Sequence, residues 1–460
     1  MNDTAAAPPR LGARRPPDAR LLQIAAEARG RFLAALGTDA ALIFGASKAL
    51  RNGDAEHRFR QNSDVLYLSA WSDPDCAILL RPGSPAPFVL FVAARDAATE
   101  VWEGRRYGVE GAKALFGADE AYAFDAISKH LPDLLQGYRT LHYRFAEDAD
   151  RDRLLAGAIA KARKPARRAG LHLPDAFIDP ARLLHELRLF KSPLELDVMR
   201  AAAAVTAEAH GLAMRATAPG GNECEIEAVI DGTFRRRGGS PGYTTIVGGG
   251  DNATILHYIA NDCPLVDGDL LCVDAGCELQ GYTADVTRTW PVNGRFTADQ
   301  AALYQLVLDT EEAAIAQVRP GVTWKQVSDA AIRQLTEGLV RLGFFEGDPG
   351  DSTLVDTLIQ EEKYKRWYMH GLGHWLGLDV HDAGVYIQDG GARPFEPGMV
   401  TTIEPGLYVP LDDEQAPARF RGMGIRIEDD VLVTAGDPEV LTAAIPKRIE
   451  AVEAWMAGRS

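Results

Sequence analysis

Cysteine is scarce in this sequence: Cys76, Cys224, Cys263, Cys272 and Cys277 are the only five in 460 residues. An odd, scattered set argues against a disulfide framework and favours a reducing, cytoplasmic setting. Cys272 and Cys277 are too far apart for a C-x-x-C pair. Positive charge is the minority sign. Lysine and arginine number 49 against 65 acidic residues, a net charge of −16, which argues against general nucleic-acid binding and against docking on anionic lipid. No apolar run approaches the ~20 residues of a membrane span. Apolar residues make up 46% and charged residues 25% of the chain, an ordinary globular mix that excludes disordered and low-complexity classes. The length predicts two or three domains.

The Pro- and Arg-rich start is followed by no apolar stretch at signal-peptide position, so a frayed terminus and no export signal are expected. A helix is expected over Leu21 to Leu36. Short apolar runs at 41–44, 66–71, 76–80 and 87–92, split by Asp, Pro and Gly, read as strands. Helical stretches are expected near 110–136 and 147–168, giving an α/β domain. The basic run 161–168 reads as a solvated helix face. Phe190-Lys-Ser-Pro193 reads as a hinge, with Ser192 and Glu195 set for a capping box and Pro193 at the first helical position. A weak repeat follows. Pro219-Gly-Gly-Asn-Glu-Cys-Glu-Ile226 matches Pro320-Gly-Val-Thr-Trp-Lys-Gln-Val327, each a helix stop followed by a capping box. A duplicated helix–helix–sheet unit would put one site at the junction of two halves.

The residues able to carry chemistry lie in this half. The segment 269–289 reads as a hairpin around Glu278-Leu-Gln-Gly281. Centred between Leu279 and Gln280, it sets Asp274 directly opposite Asp285, with Cβ atoms about 5 Å apart. Two such carboxylates in an apolar strand pair repel unless a cation sits between them. Val400-Thr-Thr-Ile-Glu404-Pro405 is a strand ending in a carboxylate. In Gly424-Ile-Arg-Ile-Glu428, alternation puts Arg426 and Glu428 on one face. His370-Gly-Leu-Gly-His374 has zinc-helix spacing, yet lacks the Glu of H-E-x-x-H and carries helix-breaking glycines. Gly248-Gly-Gly250 has no Gly-Lys-Ser/Thr after it and reads as a tight turn, not a phosphate loop. Four carboxylates with a histidine around two divalent ions and a hydroxide leave a single net negative charge, workable for a buried two-metal site. Hard oxygen donors favour manganese over zinc, and a hydroxide shared by two cations is a strong nucleophile at neutral pH.

The order Asp274, Asp285, His374, Glu404, Glu428 resembles the five-ligand set of the pita-bread metallopeptidases, which include methionine aminopeptidase, prolidase and aminopeptidase P. The segments 370–382, 402–408 and 421–430 resemble aminopeptidase P in particular, as do 54–67 and 102–106 in the first half. The resemblance implies an α/β N-terminal domain with a mixed sheet over 1–190, then an α+β pita-bread catalytic domain with an internal pseudo-twofold repeat over 191–460. It implies that Asp274 binds one ion, that Asp285 and Glu428 bridge two, and that His374 and Glu404 complete the other, with Glu404 also handling a proton. His257 and His381 would contact the peptide, His370 and Arg426 would orient ligands, and Tyr386 would line the site. The implied activity is hydrolysis of the Xaa-Pro bond at the N-terminus of peptides. Prolidase, restricted to dipeptides, is the rival. The family also implies a homodimer or homotetramer, with Asp54 and Trp102 of the first domain reaching a neighbour's substrate.

Overall fold

The computed structural model describes residues 14–458, so most of the terminus expected to fray lies outside the described residues. The chain divides between Leu187 and Arg188 into two compact units.

The first unit is built on a six-stranded sheet in the order Glu120–Ala123, Phe88–Val92, Ala77–Leu80, Ala40–Phe44, Thr140–His142, Ala176–Ile178. The central three strands pair antiparallel and the flanking pairs are parallel, a mixed sheet. The three central strands are buried on both faces, which explains their unbroken apolar runs. Two expectations need correction. Residues 66–71 are not a strand: Ser63–Ser69 is a helix, because the Asn62 side chain caps its start by accepting the N–H groups of Asp64 and Val65. The stretch 110–136 is not one helix. Gly117 turns left-handed after Gly108–Phe116, and the strand Glu120–Ala123 precedes the helix Ile127–Leu134. In the basic run, the Lys and Arg side chains of the helix Ala149–Ala169 are exposed while Ala158, Ala162 and Ala166 are buried.

The second unit opens with the helix Pro193–Ala216, and its capping box between Ser192 and Glu195 is formed. Two helix pairs follow one another: Pro193–Ala216 with Glu223–Arg236, and Ala298–Ile315 with Trp324–Leu342. The repeat is geometric as well as sequential. Asn222 and Thr323 each form a capping box, and each bridges antiparallel to a proline, Pro264 and Pro394. In both copies a glycine donates its N–H to the residue after that proline, Gly220 to Leu265 and Gly321 to Phe395. Gly268 and Gly398 follow, both at positive φ (89° and 96°). Each leads into a buried strand, Leu270–Asp274 and Val400–Ile403. Asp274 closes the first and Glu404 succeeds the second, so the duplicated unit delivers one carboxylate from each copy to the same place in the fold.

Candidate metal centre

The hairpin register differs from the sequence expectation. Gln280 and Gly281 both take positive φ (55° and 90°) and form a two-residue turn, so Leu279 faces Tyr282 and Asp274 faces Thr287, not Asp285. Asp285 lies across from Gly276. A Cβ on Gly276 would stand 1.7 Å from the Ala284 carbonyl oxygen, so only glycine lets the strands close at this point. The two carboxylates remain neighbours along a diagonal: the Tyr243 hydroxyl lies 2.5 Å from Oδ1 of each.

Asp274, Asp285, His374, Glu404 and Glu428 line one cavity of about 460 Å³ together with His257, His370, His381 and Arg426. Ligand atoms of Asp285, His374 and Glu428 lie within 4.8 Å of one another, close enough to share one ion. The His374 Nδ1–H donates to the Trp375 carbonyl at 3.1 Å, which leaves Nε2 facing Asp285 Oδ2 at 3.3 Å and Glu404 Oε1 at 3.5 Å. That is the tautomer a metal ligand needs. Alternation in 425–428 works as expected: Ile425 and Ile427 enter the core while Arg426 and Glu428 face the cavity.

Burial and mutual repulsion dominate the electrostatics. Burial pushes Glu404 up to about 7, against the pull of His374 and Arg426. Glu428 is held well above the carboxylate range by burial and then by the charges of Asp285, Glu404 and Asp274. Asp274 is also raised by burial, with Arg426 opposing and Asp285 adding. His374 goes the other way. Burial would lower it, but hydrogen bonding and charge from Asp285 and the charge of Glu404 lift it to about 9. Burial and Arg426 lower His370 to about 4. A cage that draws protons to offset its own negative charge is matched by divalent cations, and the oxygen-rich donor set with one imidazole fits them.

Several residues support the cage. Arg426 donates to Asp274 Oδ2 at 2.7 Å, to Thr287 Oγ1 at 2.9 Å and to the Tyr408 hydroxyl at 3.1 Å. Thr287 donates to Glu428 Oε2 at 2.7 Å. His370 Nε2 lies 2.8 Å from the Tyr408 hydroxyl. Asp430 accepts the Asp285 N–H on both oxygens. Sequence reasoning missed Tyr243, Thr287, Tyr408 and Asp430 as parts of the site. Strand alternation from Asp285 through Thr287 to Thr289 was a usable signal for Thr287, whereas Tyr243 stands in an irregular segment with no pattern.

One expected residue lies elsewhere, and two lie in the first unit as expected. Tyr386 does not line the cavity; its hydroxyl accepts the Trp375 N–H at 3.0 Å and its ring stacks on Trp375 at 5.4 Å, bracing the backbone beside His374. Asp54 and Trp102 belong to the first unit, Asp54 at the tip of a small hairpin and Trp102 89% exposed on the helix Ala97–Glu103.

Comparison with known proteins gives a consistent result. Metallopeptidase family M24 matches residues 197–435, and the aminopeptidase P N-terminal domain matches residues 25–142. The Xaa-Pro aminopeptidase of Escherichia coli K12 is 44% identical over 420 residues, covering 91% of this chain and 93% of its own. Human Xaa-Pro aminopeptidase 3 is 34% identical over 414 residues, 87% of this chain and 78% of its own. The structure of Pseudomonas aeruginosa aminopeptidase PepP superposes with a TM-score of 0.91 at 43% identity, covering 95% of this chain and 98% of that one. Zinc-substituted E. coli aminopeptidase P in complex with product gives 0.90 at 42%, covering 95% and 99%. With a buried cage of Asp274, Asp285, His374, Glu404 and Glu428 on a duplicated fold, and relatives alike along nearly the whole chain, this protein belongs to the aminopeptidase P branch of metallopeptidase family M24.

Proposed function

We propose that this chain is an Xaa-Pro aminopeptidase that splits the bond between the first residue of a peptide and a proline at the second position. The observation that carries the reading is the cage of Asp274, Asp285, His374, Glu404 and Glu428 lining one cavity together with His257 and His381. The five would hold two divalent ions, manganese being the expected metal, which supply Lewis-acid polarisation of the scissile carbonyl and an activated water.

The chain's own groups do the rest. We assign Glu404, which lines the cavity, to take the proton of the attacking water and return it to the leaving proline nitrogen. His381 packs edge-on against His374 with ring centres 4.3 Å apart, and burial followed by the His374 charge lowers its pKa, so at neutral pH it offers a neutral ring to the peptide. His257 lines the same space, and we assign both histidines to hydrogen-bond the carbonyl oxygen as it gains charge. Ile246, Leu256, Ile259 and Val380 give the cavity an apolar side suited to a pyrrolidine ring. An Xaa-Pro bond has no N–H to grip, and this arrangement asks for none.

We assign Asp54 to the substrate's free amine and Trp102 to the wall of the proline pocket, each acting on a neighbouring subunit of a homodimer or homotetramer. The unpaired cysteines fit a reducing cytoplasm. The test is a peptide-length series with metal analysis. Xaa-Pro-Yaa tripeptides should be cleaved with bound manganese or zinc present, and Asp285→Asn should bring turnover near background. Cleavage of dipeptides alone would point to a prolidase; full activity from metal-free Asp285→Asn protein would overturn the assignment. Subunits inactive through Asp285→Asn, mixed with Asp54→Ala subunits, should regain activity on exchange if Asp54 acts across an interface.

A further inference from the structure

His257 sits on the crest of a loop, residues 249–263, whose outer part has little packing of its own. Ile255 and Ile259 on either side of it are 53% and 56% exposed. What gathers this loop is a side chain outside it. Glu223, the first residue of the helix Glu223–Arg236, is fully buried, and both of its carboxylate oxygens accept hydrogen bonds from the loop. Oε1 takes the Gly249 N–H at 2.8 Å and the Asn252 side-chain amide at 3.1 Å. Oε2 takes the Tyr258 hydroxyl at 2.9 Å and the Cys263 N–H at 2.9 Å. Asn252 also donates to the Tyr258 hydroxyl at 3.1 Å, closing the circle. The donors come from the start, the near side, the crest and the end of the loop.

Such an arrangement is mutually dependent. A carboxylate stays charged inside a protein only when donors meet its lone pairs, and these donors are in place only when the loop holds this shape. Oxygens of Glu223 and Asp262 and the Cys263 sulfur lie within 4.8 Å of one another. Since both Glu223 oxygens already accept two hydrogen bonds each, the cluster is a clamp and not a cation site.

We propose that Glu223 is a positioning residue for catalysis: by gripping Tyr258 it fixes the neighbouring His257 at the substrate cavity. The inference rests on the reading that His257 acts on the peptide. The four groups that Glu223 accepts from all belong to the loop and none to the five-ligand set, so the clamp sets the histidine and leaves ion binding alone. Glutamine in its place keeps the size but turns an NH2 group toward backbone N–H donors that cannot reverse. Tyr258→Phe removes the hydroxyl alone, a milder cut at the contact nearest His257.

The experiment is a double-mutant cycle on the metal-loaded enzyme with an Xaa-Pro-Yaa tripeptide. Glu223→Gln and Tyr258→Phe should each lower kcat/KM by about tenfold at unchanged metal content, and each should cost less than about twofold further in a His257→Ala background. Amide exchange should quicken over 253–262 in both variants. If Glu223→Gln does not fold, the Tyr258→Phe arm of the cycle decides alone. Equal losses with and without His257, or no loss in either variant, would overturn the inference while leaving the enzyme's function standing. An inactive wild type on that peptide, or a fully active His257→Ala, would instead remove the underlying reading and the inference with it.

Discussion

Thr287 donates its hydroxyl to Glu428 at 2.7 Å while accepting the Arg426 Nε–H at 2.9 Å, so one small side chain orients a cage carboxylate and the guanidinium that steadies Asp274. Replacing it with valine keeps the shape and leaves both partners unmatched. Thr287→Val should weaken divalent-ion affinity by roughly 10–100-fold, the usual cost of losing a group that orients a ligand. Calorimetric titration of metal-free protein with Mn(II) checks this; unchanged affinity would mean that Glu428 needs no such support.

His257 and His381 face the cavity without belonging to the five-residue set. His→Ala at either position should keep metal content near that of the parent and lower kcat/KM by roughly 10²–10⁴. Loss of bound metal in either variant would move that histidine into the ligand set.

Ion binding should expel protons. Before metal arrives, Glu404 titrates near about 7 and His374 near about 9, and Glu428 and Asp274 are raised as well. All must be deprotonated to ligate, so apparent affinity should climb as pH rises through neutrality toward about 9. At pH 7 more than one proton should leave per protein. Calorimetry in buffers of different ionisation enthalpy counts them, and zero net release would contradict the crowding of charge.

His210 is fully buried, with Nε2–H donating to the Ala275 carbonyl at 3.0 Å, and burial lowers its pKa to about 4. Its ordinary value is about 6.5. Between those two values the unfolded chain takes up a proton that the folded chain refuses, so stability falls as pH drops through this window and is intact above it. The loss approaches about 3 kcal/mol at the acid end. Urea unfolding of metal-free protein at pH 7.5 and 4.5 should therefore show a smaller difference for His210→Gln than for the parent. Equal differences would mean that His210 is protonated in the fold.

Much of this centre is legible in the sequence, and the exceptions have physical reasons. Glu404 and Glu428 each stand just past a strand, Val400–Ile403 and Met423–Arg426, and the alternation and the proline stop are written locally. The Asp274–Asp285 geometry was misjudged by a step of the hairpin, because Gln280 takes the left-handed turn position that glycine or asparagine usually fills. Residues 66–71 look like a strand by composition, and one asparagine cap upstream decides for helix. Tyr243 and Glu223 left no local trace at all. Each acts on residues dozens of positions away, through contacts that exist only once the first copy of the repeat has folded.

Asp274 and Glu404 occupy matching positions in the two copies of the repeat, each six residues beyond a left-handed glycine. Ions held between them would join the copies as a rivet joins two plates. Free energy gained on binding would then be shared by the seam, and chelation would loosen the attachment of one half of the catalytic unit to the other as well as silence a reaction.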